Sequence, residues 1–222
     1  MIKCTVIASA AILLATSQTK AGFVVTDQFR LYGCGVTQGS QTTVDHRERG
    51  YHRDLLINTS SNGNGRTSAK IEHESLIEND VYKSKNLINL TAGFGTPRVE
   101  GAGGLAISSV QLVVDKITTV RINYEIDIQS GINSSHLFAL ENESINQEIF
   151  LLNALESQSG SVLLTLDPGQ YSISDFISHT SNEPGVAGDW TMQSLISMTV
   201  VPAPSTLALL APAGLIATRR RR

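Results

Sequence analysis

The chain has 222 residues, enough for one large or two small domains, of which 41% are apolar, 17% charged and 5% aromatic. Its formal charge of −3 averages unlike segments: all 20 acidic residues lie between Asp27 and Asp189, whereas Lys3, Lys20, Arg219, Arg220, Arg221 and Arg222 supply six of the 17 basic ones, so residues 22–200 hold 11 cations and carry −9. An acidic middle gains nothing by releasing counterions from a phosphate backbone, which excludes nucleic acid as an expected partner.

At the start, Lys3 precedes an uncharged apolar run over residues 6–15, the length of a signal-peptide core and too short to cross a bilayer. Small residues follow at Ala15, Ser17, Thr19 and Ala21, so residues 1–21 read as a helical signal peptide cut after Ala21. Cys4 leaves with it. Cys34 then stands alone in an oxidising compartment, either buried as a small hydrophobe or exposed and reactive, and burial beside Tyr32 is the expectation.

Residues 22–200 read as one domain of about eight strands. Residues 23–32 form the first. The run Asp45, His46, Arg47, Glu48, Arg49, Tyr51, His52, Arg53 and Asp54 is the densest in charge and is expected as a solvated loop, with a polar ligand groove as the alternative. Residues 55–58 read as a strand, residues 58–67 as an open polar loop around Asn62-Gly63-Asn64-Gly65, and residues 68–76 as a returning strand. That strand sets Glu72 and Glu74 on one face, about 7 Å apart by strand rise, too far for a single ion without a neighbouring strand. Residues 93–104 form a glycine-rich loop interrupted by Pro97.

Residues 105–115 follow as a strand, with Asp115-Lys116 as a tight connection. Val120, Ile122, Tyr124, Ile126 and Ile128 then alternate with Arg121, Asn123, Glu125, Asp127 and Gln129, the clearest period-two pattern in the chain. In residues 145–156 Ile149, Phe150, Leu152 and Leu155 fit either a short helix or a strand, and the short helix is the expectation. Residues 161–166 and 171–178 are strands joined at Leu166-Asp167-Pro168-Gly169-Gln170-Tyr171, where Pro168 fixes φ and Gly169 supplies a positive φ, and this turn is expected to lay the two strands side by side. The last strand alternates Trp190, Met192, Ile196, Met198 and Val200 with Thr191, Gln193, Ser197 and Thr199; Leu195 intrudes, and Trp190 is assigned to the core. The fold class is therefore all-β, an antiparallel two-sheet β-sandwich of jelly-roll type.

No Gly-x-Ser-x-Gly elbow, His-Glu-x-x-His helix, EF-hand loop or phosphate-cradling loop occurs, and the five histidines are scattered. The expectation is a non-enzymatic protein without a catalytic, cofactor or metal site.

The chain ends with Val201-Pro202-Ala203-Pro204-Ser205-Thr206, an apolar stretch over residues 207–218 and the four arginines Arg219, Arg220, Arg221 and Arg222. Prolines keep the first zone extended, the second is hydrophobic enough to stall in a membrane, and the arginines hold the end on the cytoplasmic side. This order of zones resembles the PEP-CTERM sorting signal, with Ala203 where that family has glutamate. The resemblance is limited to residues 201–222. It implies recognition at Pro202, Ala203, Pro204 and Ser205 by an exosortase-like membrane protease, a short helical membrane segment inserted transiently, and orientation by the arginines. With the signal peptide, it implies a protein exported to the cell surface or extracellular matrix, structural or adhesive in an exopolysaccharide biofilm; a secreted carbohydrate-binding module is the alternative, and a polysaccharide-active hydrolase a third.

Overall fold

The computed structural model describes residues 22–36, 41–62, 65–92, 102–129, 133–181 and 188–202. The signal-peptide and membrane segments, Ala203, Pro204, Ser205 and the four terminal arginines lie outside the described residues.

Twelve strands make up the unit Gly22–Val201: β1 (Phe23–Val36), β2 (Gln41–His46), β3 (Gly50–Asn62), β4 (Gly65–Glu78), β5 (Val81–Ala92), β6 (Ala102–Val114), β7 (Thr118–Gln129), β8 (Ser134–Asn142), β9 (Gln147–Ala154), β10 (Gln158–Leu166), β11 (Gly169–Ser181) and β12 (Gly188–Val200). They form two six-stranded sheets. The first has the order β2-β1-β6-β11-β8-β9 and the second β10-β7-β12-β5-β4-β3, and every neighbouring pair is antiparallel.

Alternation explains the sandwich directly. On β6, alternate residues from Ala102 to Val114 point inward, and β5, β11 and β12 obey the same rule, so one face of each sheet is buried against the other. Val120, Ile122 and Ile126 are buried as their spacing predicts, with Tyr124 and Ile128 packed against the same core. Trp190 is buried, and so is Cys34. The strand β1 of the first sheet is also tied to the second sheet at one end. In the two-residue β4–β5 turn, Asp80 adopts φ 68°, a left-handed value that aspartate tolerates; its Oδ1 accepts from Phe23 N at 3.0 Å, and Asn79 Oδ1 accepts from Val25 N at 3.1 Å.

The strands number twelve among the described residues where about eight were expected, and four further expectations about particular segments change. Residues 145–156 hold β9 and not a helix: a register shift between Leu140 and Glu141 disturbs the β8–β9 pairing, so Ile149, Phe150, Leu151 and Leu152 lose clean period two and mimic helical spacing. The polar stretch 58–67 is mostly strand, because β3 and β4 continue their ladder to Asn62 opposite Gly65. The charged run 45–54 ends β2 and begins β3, with only residues 47–49 between them. The Pro168-Gly169 corner does not lay its strands side by side: β10 pairs with β7 in the second sheet and β11 with β6 and β8 in the first, so the chain crosses between sheets. Gly169 is not among the residues at positive φ; Tyr171 Oη donates to Asp167 O at 2.9 Å and holds the corner from its far side.

Candidate functional site

Three regions gather the chemistry-bearing residues: a polar layer inside the sandwich, a half-open cluster at its β2–β3 edge, and the outer face of the first sheet.

Register builds the inner layer. On the first sheet Arg30 lies opposite Ser108, which lies opposite Asp175; on the second His73 lies opposite Asn86, which lies opposite Ser194, and all six are buried. Buried polar groups are costly unless paired, and these are paired both within and between sheets. Tyr82 Oη of the second sheet donates to Asp175 Oδ2 at 2.7 Å, and His136 Nε2 lies 2.9 Å from Asp175 Oδ1. Burial pushes the Asp175 carboxyl upward, but His136 and Tyr82 outweigh it and hold the group below its ordinary range. Tyr82 is driven well above its ordinary value by burial and by the same carboxylate.

Asn86 Oδ1 accepts from His73 Nδ1 at 2.6 Å, leaving Nε2 of the neutral ring to accept from Ser75 Oγ at 3.0 Å. Asn86 Nδ2 reaches Ser84 Oγ at 3.1 Å and Ser194 Oγ at 3.3 Å. Burial lowers the His73 pKa, so the neutral form belongs to the fold. His179 is likewise lowered by burial and meets Ser134 Oγ at 2.5 Å.

At the β2–β3 edge Asp54 is only partly covered. It accepts from Tyr32 Oη and lies 3.0 Å from His46 Nε2, joining the second sheet to the first. Tyr32 stacks on His73 at 4.7 Å, and His46 packs on His52 at 4.5 Å, so three histidines scattered in sequence meet around one tyrosine. Burial raises the Asp54 pKa, yet Tyr32 and His46 reverse it and the net shift is downward. Arg30 is wholly buried; Nη1 donates to Glu48 O at 2.7 Å and Nη2 to Gly50 O at 3.1 Å, which fastens residues 47–50 over this edge. The cluster thus reads as a latch. No group of three or more His, Cys, Asp or Glu side chains among the described residues is arranged to hold a metal ion.

Cys34 lies on β1, where Asn58 Nδ2 donates to its carbonyl oxygen at 2.6 Å and approaches Sγ at 3.4 Å. Burial raises the thiol pKa against the opposing bonds from Asn58, which suppresses the reactive thiolate. Glu72 and Glu74 do share the outer face of β4, while His73 between them points inward; Lys70 Nζ sits 2.6 Å from Glu72 Oε1. Pro202 is exposed.

The outer face of the first sheet carries an apolar row at its centre. Across four strands Leu31, Ile107, Phe176 and Leu137 stand side by side, all at least partly exposed. The outward positions of β1 from Phe29 to Gly35, of β6 from Gly103 to Ser109 and of β11 from Ser174 to Thr180 hold no charged side chain. Beside this row lies a groove of about 550 Å³, bounded by Leu31, Leu105 and Phe176, by Thr42 and Thr43 of β2, and by Ser178 and Thr180. Glycine lets β2 close one side of it: a Cβ on Gly33 would come within 2.8 Å of Thr43 Cγ2 and 2.9 Å of Thr42 O, so only glycine lets the two strands approach this closely. Sequence reasoning missed this groove. The alternation Leu31, Gly33, Gly35 was the available signal, since glycines on one strand face leave the backbone open to a ligand.

No family model matches the sequence, and no curated protein matches it. Among solved structures, the chain is similar to the CBM22-1 xylan-binding domain of Xyn10C from Paenibacillus barcinonensis, at 11% identity over 70% of this chain and 88% of that one, with a TM-score of 0.20. A likeness at that level identifies no ligand.

Proposed function

We propose that this protein is an exported, non-catalytic component of the cell surface or extracellular matrix that binds an uncharged polysaccharide chain through the outer face of its first sheet. One observation carries the binding half: in a domain with a charge of −9 over residues 22–200, the outward positions of β6 from Gly103 to Ser109 and of β11 from Ser174 to Thr180 hold no charge beside a groove of about 550 Å³, within the size range of ligand sites, and the nearest charge in the same cross-strand row is Asp45 on the β2 edge. Leu31, Leu105 and Phe176 offer apolar surface to the carbon faces of sugar rings, and Thr43, Ser178 and Thr180 offer hydroxyl groups to the sugar hydroxyls. A charged polymer would lose its hydration on such a face without gaining a partner charge.

The address rests on the sequence alone: the signal-like residues 1–21 and the Pro202, Ala203, Pro204 and Ser205 motif with its apolar stretch and arginines. An exosortase-like protease is the proposed processing partner, and the tail enters the membrane only in transit.

Isothermal calorimetry against neutral and acidic polysaccharides tests the binding half. The expected result is binding of a neutral polymer that Phe176→Ala weakens at least about tenfold, roughly 1.4 kcal/mol; binding that is confined to acidic polymers, or indifferent to this change, overturns it. For the address, full-length protein and a version lacking residues 202–222 are produced in a host with an exosortase. Identical release of both, with no trimming, rejects the sorting reading.

A further inference from the structure

The two sheets end in four edge strands, and three are short or interrupted. The strand β2 has six residues, β9 has eight and a register shift against β8, and β10 has nine. The strand β3 has 13 residues and pairs with β4 from Gly50 to Asn62 without any shift. Edge strands invite pairing with another chain, and folded proteins usually blunt them with lysine, proline, bulges or brevity. The strand β3 has no lysine, proline or bulge and is not short; its charges are Arg53 and Asp54 alone, which leaves residues 55–62 without any. Its outward side chains Tyr51, Leu55 and Ile57 are instead 56%, 53% and 55% exposed, the tightest grouping of exposed large apolar residues on any one strand.

We propose that β3 pairs with β3 of a second copy of this chain, antiparallel about a two-fold axis at Leu55, so that the second sheets of two molecules run on as one. Matching faces require outward residues to meet outward residues, which restricts the axis to a residue position. An axis at Arg53 sets two arginines opposite each other, and one at Asp54 sets two aspartates opposite each other; both are unfavourable. Axes at Leu55 and at Leu56 oppose no like charges, and of the two only the axis at Leu55 sets the exposed Leu55 against its own copy, with Arg53 against Ile57. The contact is isologous and closes on itself, so it yields a dimer and not a filament. It leaves the groove on the first sheet open and is independent of what that groove binds.

Sedimentation equilibrium of the secreted protein tests this. The expected result is a reversible dimer, with the midpoint concentration raised at least about tenfold by Leu55→Lys while circular dichroism stays unchanged, and with Leu163→Lys on the β10 edge having no effect. A Leu55→Cys variant should cross-link to a covalent dimer on mild oxidation, since directly opposed antiparallel residues have Cα atoms about 4.5–5.5 Å apart. A monomer at all concentrations up to about 100 μM, a dimer insensitive to Leu55→Lys, or assembly abolished by Leu163→Lys would each overturn the pairing.

Discussion

The outer faces of the two sheets are built on the same pleat and do opposite things. On the second sheet, Glu125, Leu195, Lys85, Glu74 and Arg53 lie in one cross-strand row, and Asp127, Gln193, Leu87, Glu72 and Leu55 in the next. That surface sets charges of both signs beside each other between its exposed apolar side chains, so Leu195 and Leu55 each have a charged cross-strand neighbour. On the first sheet the row runs Asp45, Leu31, Ile107, Phe176, Leu137 and Asn153, with four apolar side chains in succession and its one charge at the β2 edge. Burial therefore explains the inward pattern of both sheets but not the outward pattern of the first, and a surface that keeps apolar groups exposed without a packing reason points to a ligand.

The largest effect expected from testing this contrast lies beneath both faces. Asp175→Ala leaves Tyr82 and His136 without their buried acceptor and should cost about 3–5 kcal/mol in urea unfolding, whatever happens outside. Loss of under about 1 kcal/mol would mean that the inner layer is not closed as described. Next comes the face itself: Phe176→Ala should reduce polysaccharide affinity at least about tenfold while lowering stability by about 1–2 kcal/mol, because the ring is only partly covered.

The pH dependence should be intermediate in size. Folded-state pKa values of His52, His73 and His179 lie below their ordinary values, each chiefly through burial, and those of Asp54 and Asp175 lie below theirs against burial. A depressed folded-state value gives stability that is present above the unfolded-state pKa and lost as pH falls toward the folded one. Unfolding free energy should therefore decline below about pH 6.5 as the histidines take up protons and again below about pH 4 as the carboxylates do. A stability that rises on going from pH 7 to pH 5 would contradict the neutral assignment of His73. The smallest effect belongs to the second sheet: Lys85→Ser should change stability by no more than about 0.5 kcal/mol and leave polysaccharide affinity untouched. If it weakened binding as much as Phe176→Ala, the contrast between the faces would have no functional content.

How much of this could be read in advance depended on what each strand turns inward. The strand β7 was legible because its inward positions after Thr118 carry the apolar Val120, Ile122 and Ile126 with Tyr124 and Ile128 packed beside them. Strands β5 and β8 were not, since Ser84, Asn86 and His136 occupy inward positions and erase the binary pattern. Leu195 is the same effect in miniature. It looked like an intruder on the solvent side because its neighbour Ser194 is the inward residue, bonded to Asn86, and the register places Leu195 between Glu125 and Lys85. The histidine cluster was hidden for a different reason: His46, His52 and His73 lie on three strands whose proximity exists only after the sheets pack.

The sequence alone determined the order of zones at the two ends, the acidic middle and the all-β class, since charge, hydrophobicity and period two are local properties of a chain. The tertiary structure decided which strands share a sheet, why the Pro168-Gly169 corner crosses between sheets, and which polar residues meet inside. Alternation says which face a side chain takes, but cross-strand register chooses its partner, and register is fixed only when both sheets bury their apolar faces together.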